Sequence, residues 1–180
     1  MTNELEGRRV AFMVANEGME EVEFTEPWKA VTDAGGLPEL LAPEAGTAQA
    51  FNHLDKAGTF PVDRVIGNAN PGDYDALVLP GGVANPDQLR TVPAAVLFAR
   101  ALFQAGTPAA VICHGPWTLV EADLVRGRTL TSWPSLQTDL ENAGAKWSDK
   151  QVVHDGQLIT SRKPDDIPAF TNELIQALAA

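Results

Sequence analysis

Apolar residues along this chain fall either in short unbroken runs or in longer stretches where they recur at helical spacing. "RVAFMVA" (Arg9 to Ala15), "LPELLAP" (Leu37 to Pro43), "DALVLPGG" (Asp75 to Gly82) and "PAAVIC" (Pro108 to Cys113) are of the first kind. Their length and bounding Gly, Pro or acidic residues predict buried strands. The second kind begins with "EEVEFTEPWKAVTDAGG", where Val22, Trp28 and Val31 share a helical face and Gly35-Gly36 ends the helix. Pro27 lacks an amide hydrogen, which places it in the first turn or at a bend. "PAAVLFARALFQAG" predicts a helix with Pro93 early and Gly106 as its stop. "PWTLVEADLV" predicts another, and "SLQTDLENAG" a third with Ser135 as N-cap. "DDIPAFTNELIQALAA" predicts an acidic-capped helix at the end of the chain.

Between these lie weaker signals. Residues 44–72 are polar, and short strands or a hairpin are expected around "AFNHLD" and "FPVDRVI". "RTLTSW" predicts a short strand, and "KQVVHDGQLITSR" a hairpin turning at Asp155-Gly156. Strands alternating with helices imply a doubly wound, mostly parallel sheet covered on both faces. In such sheets reactive groups gather at the carboxyl ends of the strands.

At 180 residues the chain fits one domain, 1–180, able to bury roughly 70% of its unfolded surface. Thirteen Lys and Arg against 24 Asp and Glu give a formal charge of -11. That excess argues against direct nucleic-acid binding, which needs clustered cations. One cysteine cannot make an internal disulfide, which suits a reducing compartment. The first residues lack the order of a signal peptide, and no run nears the ~18 apolar residues of a membrane span. A cytoplasmic protein without a membrane partner is expected.

The lone cysteine is where chemistry concentrates. In "AAVICHGPW", Cys113 closes a strand and precedes a helix, the strand-turn-helix setting of a nucleophile elbow. Amides at the helix start and the helix dipole are expected to lower its pKa. His114 follows directly, either as a base or as a cap of the turn. In "NEGMEEVEF", Glu20, Glu21 and Glu23 crowd a helix start, a favourable place for carboxylates. An acid beside a thiolate must be protonated to help it, so a raised glutamate pKa is expected there. After the third strand, Gly81 and Gly82 let backbone approach a ligand closely. Their amides, with that of His114, could form an oxyanion hole.

Taken together, "ANEGMEEVEFTEP", "DALVLPGG", "AAVICHGPW", "LVRGRTLTSWP" and "SRKPDDIPAF" resemble the PfpI family, the intracellular cysteine peptidase-like branch of the ThiJ/PfpI superfamily. The resemblance spans nearly the whole chain. It implies a flavodoxin-like sandwich, similar to class I glutamine amidotransferases, that assembles with itself as a dimer or hexamer. It assigns Cys113 as nucleophile, His114 as its neighbour, Glu23 as the acid on the thiol, and the amides of Gly82 and His114 as the anion pocket. The third acid of peptidase members comes from an adjacent subunit, and its nearest counterpart here is Asp87, one residue further along the loop. Trp133 stands where peptidase relatives often have tyrosine. Amidotransferase chemistry is disfavoured, because Val111 replaces the usual glycine and no late His-x-Glu pair occurs; His154-Asp155 lies at a hairpin instead.

The resemblance implies no cofactor or metal, and a small carbonyl or peptide substrate. Relatives are variously described as peptidases, glyoxalases or deglycases acting on methylglyoxal or its adducts, chaperones and stress proteins. The expectation is a stress-associated cysteine hydrolase in which Cys113 attacks a carbonyl. The alternatives are a glyoxalase or deglycase, and a redox sensor working through oxidation of Cys113. A chaperone-like binding protein ranks last.

Overall fold

Strict alternation of side chains across the central strands explains the architecture. The computed structural model describes residues 3–180. In β1 (Arg9–Met13) and the residue after it, Val10, Phe12 and Val14 enter one core while Ala11 and Met13 enter another. β7 (Ala76–Leu79) and β8 (Ala109–Ile112) divide in the same way, with Val78 and Ile112 on one side and Leu77 and Val111 on the other. A strand buried on both faces reads as an unbroken apolar run, so the helices must lie on both sides.

The chain builds β2 (Glu17–Glu20), α1 (Glu21–Asp33) and β3 (Leu37–Ala42) after β1. An antiparallel hairpin follows, β4 (Thr47–Asn52) and β5 (Asp55–Pro61), then β6 (Arg64–Val65). After β7 come α2 (Ala84–Leu89), α3 (Pro93–Gln104), β8, and α4 (Pro116–Glu121). The remaining elements are β9 (Thr129–Leu130), α5 (Gln137–Asn142), β10 (Lys146–Trp147), β11 (Val152–Asp155), β12 (Leu158–Ser161) and α6 (Ile167–Ala179).

The main sheet has the order β11-β12-β8-β7-β1-β3-β6 and is parallel except for β11. This is the flavodoxin-like doubly wound sandwich expected from the sequence. One core holds Phe98 and Leu102 of α3 with Leu119 of α4; the other holds Phe24 of α1 with Phe170 and Leu174 of α6. A satellite sheet, β2-β4-β5, is fastened to the second side by an aromatic cluster. Phe24 lies 5.8 Å from Phe12, 5.2 Å from Trp28 and 4.9 Å from Phe60 of the hairpin. Edge and tilted contacts of this kind contribute roughly 0.5–1.5 kcal/mol each beyond burial.

Three local expectations are corrected. Of the two places expected for Pro27 the first turn is excluded: it lies in the second turn of α1 and is itself buried. It takes a core position between Phe24 and Val31, which offsets the i→i−4 bond it cannot make. Ser135 sits inside a 3-10 turn at Pro134–Leu136, and Leu136 is the N-cap of α5. Asp166 occupies the N-cap of α6, but its carboxylate turns to Arg162 instead, accepting from Nε at 2.9 Å and Nη2 at 3.0 Å.

Candidate active site

β1, β7 and β8 lie side by side at the centre of the sheet, so the segments leaving their carboxyl ends meet. Cys113, one residue past β8, has φ 62°. A side chain in this left-handed region costs about 1–2 kcal/mol, and surrounding bonds must hold it there. The Cys113 amide donates to the Ser161 carbonyl at 3.0 Å, and its own carbonyl accepts from the Trp133 amide at 2.9 Å. Gly115 completes the corner because a Cβ there would lie 2.8 Å from the Leu79 carbonyl and from Val111. The elbow read from "VICHGPW" is therefore present. Cys113 lines a cavity of about 660 Å³, although the residue is only 7% exposed.

The acids of "MEEVE" each find a backbone amide. Glu20 accepts from His53 at 3.1 Å and Glu21 from Gly58 at 2.5 Å, both on the β4–β5 hairpin. Glu23 is fully buried, and its Oε2 accepts from the Gly81 amide at 2.8 Å. The same carboxyl approaches the Cys113 thiol, while Oε1 has no geometrically sound partner among the described residues. Burial pushes the Glu23 carboxyl up to about 8 against the pull of the Gly81 amide and Cys113 contact, with Glu20 adding repulsion. Glu23 therefore holds a proton at neutral pH, as the sequence led us to expect.

The thiol does not follow expectation. Burial pushes Cys113 up, and an ionised Glu23 would push it further; the Gly82 and His114 amides act in the opposite direction. The dipole argument neglected desolvation, which dominates for a group this enclosed. Glu23 and Cys113 titrate as a coupled pair. When Glu23 is protonated its repulsion vanishes, and the two amides then work chiefly against burial.

His114 Nδ1 lies 3.3 Å from Cys113 Sγ, so the tight turn brings together two side chains that adjacent positions usually separate. Burial lowers the His114 pKa to about 4. Its ring stacks on Trp133 with centroids 5.9 Å apart and meets the edge of Trp117 at 5.3 Å. A neutral imidazole beside the sulfur is an acceptor for the thiol proton. Among the described residues no carboxylate hydrogen-bonds to His114. Asp87, on the first turn of α2, lines the same cavity and is exposed. The double glycine is corrected in one respect. The Gly81 amide is taken by Glu23, so only the Gly82 and His114 amides face the sulfur.

Sequence reasoning missed the hairpin's part in the site. Phe51, His53 and Leu54 line the cavity from the tip of β4–β5. A histidine beside an apolar residue in the polar stretch "FNHLD" was the one available signal. Among the described residues, no three His, Cys, Asp or Glu side chains converge to hold a metal, and no helix is long and apolar enough to cross a membrane.

A parallel sandwich with a strained cysteine corner and a buried glutamic acid against the thiol defines the class: a doubly wound α/β protein built around one cysteine. The chain belongs to the DJ-1/PfpI family, whose profile matches residues 8–177. It is 40% identical over 170 residues to Deglycase PH1704 of Pyrococcus horikoshii, covering 94% of this chain and 99% of that one. It is 36% identical over 171 residues to YraA of Bacillus subtilis, named as a candidate cysteine protease, covering 95% and 98%. Among solved structures, Drosophila melanogaster DJ-1beta superposes with a TM-score of 0.87 at 27% identity, covering 96% of this chain and 91% of that one.

Proposed function

We propose that this chain is a cysteine enzyme of small reactive carbonyls, of the glyoxalase and deglycase type, with Cys113 as nucleophile. The observation that carries this reading is Glu23, a carboxylic acid kept neutral by burial between the Gly81 amide and the thiol. Addition of the thiol to an aldehyde forms an S–C bond and breaks the carbonyl π bond. The thiol proton passes through His114 to the new oxygen, which the Gly82 and His114 amides receive. With an α-oxoaldehyde, moving the C–H proton from the carbon bearing sulfur to the adjacent carbon, and the hydroxyl proton to that carbon's oxygen, gives a hydroxy thioester. Water then releases the hydroxy acid and restores the thiol. The sum is aldehyde plus water, an internal redox reaction that needs no external oxidant.

Peptide hydrolysis makes a harder demand. It must protonate a leaving amine with the proton that His114 takes from the thiol, and a ring with a pKa near 4 holds that proton poorly until the amine departs. A carboxylate on the far side of the ring would raise it, and the expected source is Asp87 of a second copy in a dimer or hexamer. The name of Deglycase PH1704 favours the first reading, and that of YraA the second. Both use the same nucleophile.

The test is methylglyoxal consumption with lactate as product, run beside a peptidase assay. Wild type is expected to turn over methylglyoxal, and Cys113→Ala to lose turnover by at least 10³-fold, a magnitude usual for a covalent nucleophile. Peptidase activity dependent on Cys113 with no methylglyoxal turnover overturns the proposal. Peroxide that converts Cys113 to a sulfinate, with no turnover of either substrate, would select the redox-sensor alternative.

A further inference from the structure

The cavity's working groups depend on how one short turn, Pro80-Gly81-Gly82, is oriented. Gly81 lies so close to the site that a Cβ there would sit 2.5 Å from Glu23 Oε2 and 2.6 Å from Cys113 Cβ. Its amide donates to Glu23, and the next amide, Gly82, favours the thiolate of Cys113. A flexible diglycine has no intrinsic reason to present both donors on one side.

Asn85 supplies that reason. It is 1% exposed, on the first turn of α2, and its carboxamide is fully engaged. Nδ2 donates to the Pro80 carbonyl at 3.0 Å and to the Gly81 carbonyl at 3.1 Å; Oδ1 accepts from the Ala15 amide at 2.7 Å. In a planar trans peptide the C=O and the N–H point in opposite directions. The Pro80 carbonyl shares its peptide plane with the Gly81 N–H, and the Gly81 carbonyl with the Gly82 N–H. Holding both carbonyls on the α2 side turns both N–H groups to the opposite side. The Oδ1 bond to Ala15 ties the same side chain to the end of β1, the strand whose continuation carries Glu23. The Gly81 carbonyl also accepts from the Glu20 amide at 3.3 Å, closing the frame.

We propose that Asn85 is a positioning residue for the Cys113–Glu23 pair, aiming the Gly81 amide at the acid and the Gly82 amide at the sulfur. The inference rests on Cys113 being the reactive thiol, and its readout is the ionisation of that thiol, not turnover. Asn85→Ala and Asn85→Ser free the Pro80 carbonyl and leave the Gly81 carbonyl only its longer bond from the Glu20 amide, so the Gly82 amide is held less firmly toward the sulfur and the thiolate's donor weakens. Iodoacetamide alkylation of Cys113 at pH 7 is expected to slow about tenfold, with the rate–pH midpoint moving up about one unit. Leu102→Ala, a core truncation in α3 that destabilises by about 2–5 kcal/mol, is expected to leave the midpoint in place. Midpoints in the folded Asn85 variants equal to wild type overturn the proposal.

Wild type provides a measurement that does not depend on a variant folding. By NMR, the Gly82 amide resonance is expected to move with the Cys113 titration, and the Asn85 side-chain amide protons to exchange slowly. A Gly82 resonance that stays flat through that titration, or freely exchanging Asn85 protons, overturns the assignment. Normal midpoint shifts in a chain that never consumes methylglyoxal would overturn the carbonyl-enzyme reading and leave this one intact.

Discussion

At Cys113 and Glu23, two residues hold conformations or charge states that the rest of the fold must enforce. The φ of 62° at Cys113 strains any residue with a Cβ, and the strain is separable from the chemistry. Cys113→Gly and Cys113→Ala are both inactive by construction, yet the glycine variant is expected to be the more stable by about 1 kcal/mol. Thermal or urea unfolding checks this; an alanine variant as stable as the glycine one would mean the corner is unstrained. Glu23 provides a second prediction through its proton. Its folded pKa of about 8 lies above the ordinary 4.5, so the folded chain binds the extra proton between those values. Stability from this group is therefore greatest at and below pH 4.5 and falls as pH rises through 8, by a few kcal/mol in order of magnitude. The urea midpoint of wild type should drop between pH 5 and pH 8.5, while Glu23→Gln, which cannot ionise, flattens the slope. An equal slope in both proteins would place the proton elsewhere.

At the scale of elements, the connection between β12 and α6 does more than join them. It starts at Ser161, whose carbonyl fixes the Cys113 amide, and includes Pro164 on the cavity wall. Arg162 and the buried Asp166 hold it in shape, and Arg162 Nη1 also reaches Asp149 at 2.9 Å. Removing the arginine side chain leaves a carboxylate that is only 2% exposed with the backbone amide of residue 162, at 3.1 Å, as its remaining donor. Arg162→Ala is expected to lose about 3–5 kcal/mol, and the double variant Arg162→Ala/Asp166→Ala to recover a large part of it. Calorimetry of the three chains decides, and a double variant no better than the single would show that the pair's packing, not the stranded charge, dominates. Legibility from sequence followed the same lines. "VAFMV", "ALVL" and "AAVI" announced themselves because both faces are apolar, and the elbow followed from where one of those runs stops. β2 was invisible, since "EGME" has neither alternation nor length and pairs with β4 only through a register shift. α2 was hidden by "ANPDQ", whose Asn-Pro-Asp reads as a turn although Pro86 falls in a first turn, where its missing N–H is harmless. The partners of Glu20 and Glu21 were likewise beyond reach, being backbone amides on a hairpin more than thirty residues away.

Across the whole molecule, charge bears on which carbonyls can enter. The formal charge is -11, and the cavity repeats that bias locally: Glu20, Glu23 and Asp87 line it, with no Lys or Arg among the described lining residues. Besides Glu23, two acidic side chains, Glu20 and Asp87, stand beside an otherwise largely apolar wall that includes Phe51 and Trp133. An anionic aldehyde must approach both of them. 4,5-Dioxopentanoate carries the same α-oxoaldehyde as methylglyoxal and adds a side-chain carboxylate, so the pair tests this effect on one chemistry. The value of kcat/KM for 4,5-dioxopentanoate is expected to be lower by at least about tenfold, since even partly screened charges contribute roughly 1 kcal/mol each. The gap should narrow in high salt. Asp87→Asn separates the two roles open to that residue. If Asp87 acts as a charge at the cavity mouth, the variant narrows the gap and leaves methylglyoxal turnover nearly unchanged. If it completes a triad from a second copy, turnover falls for both substrates and the gap persists.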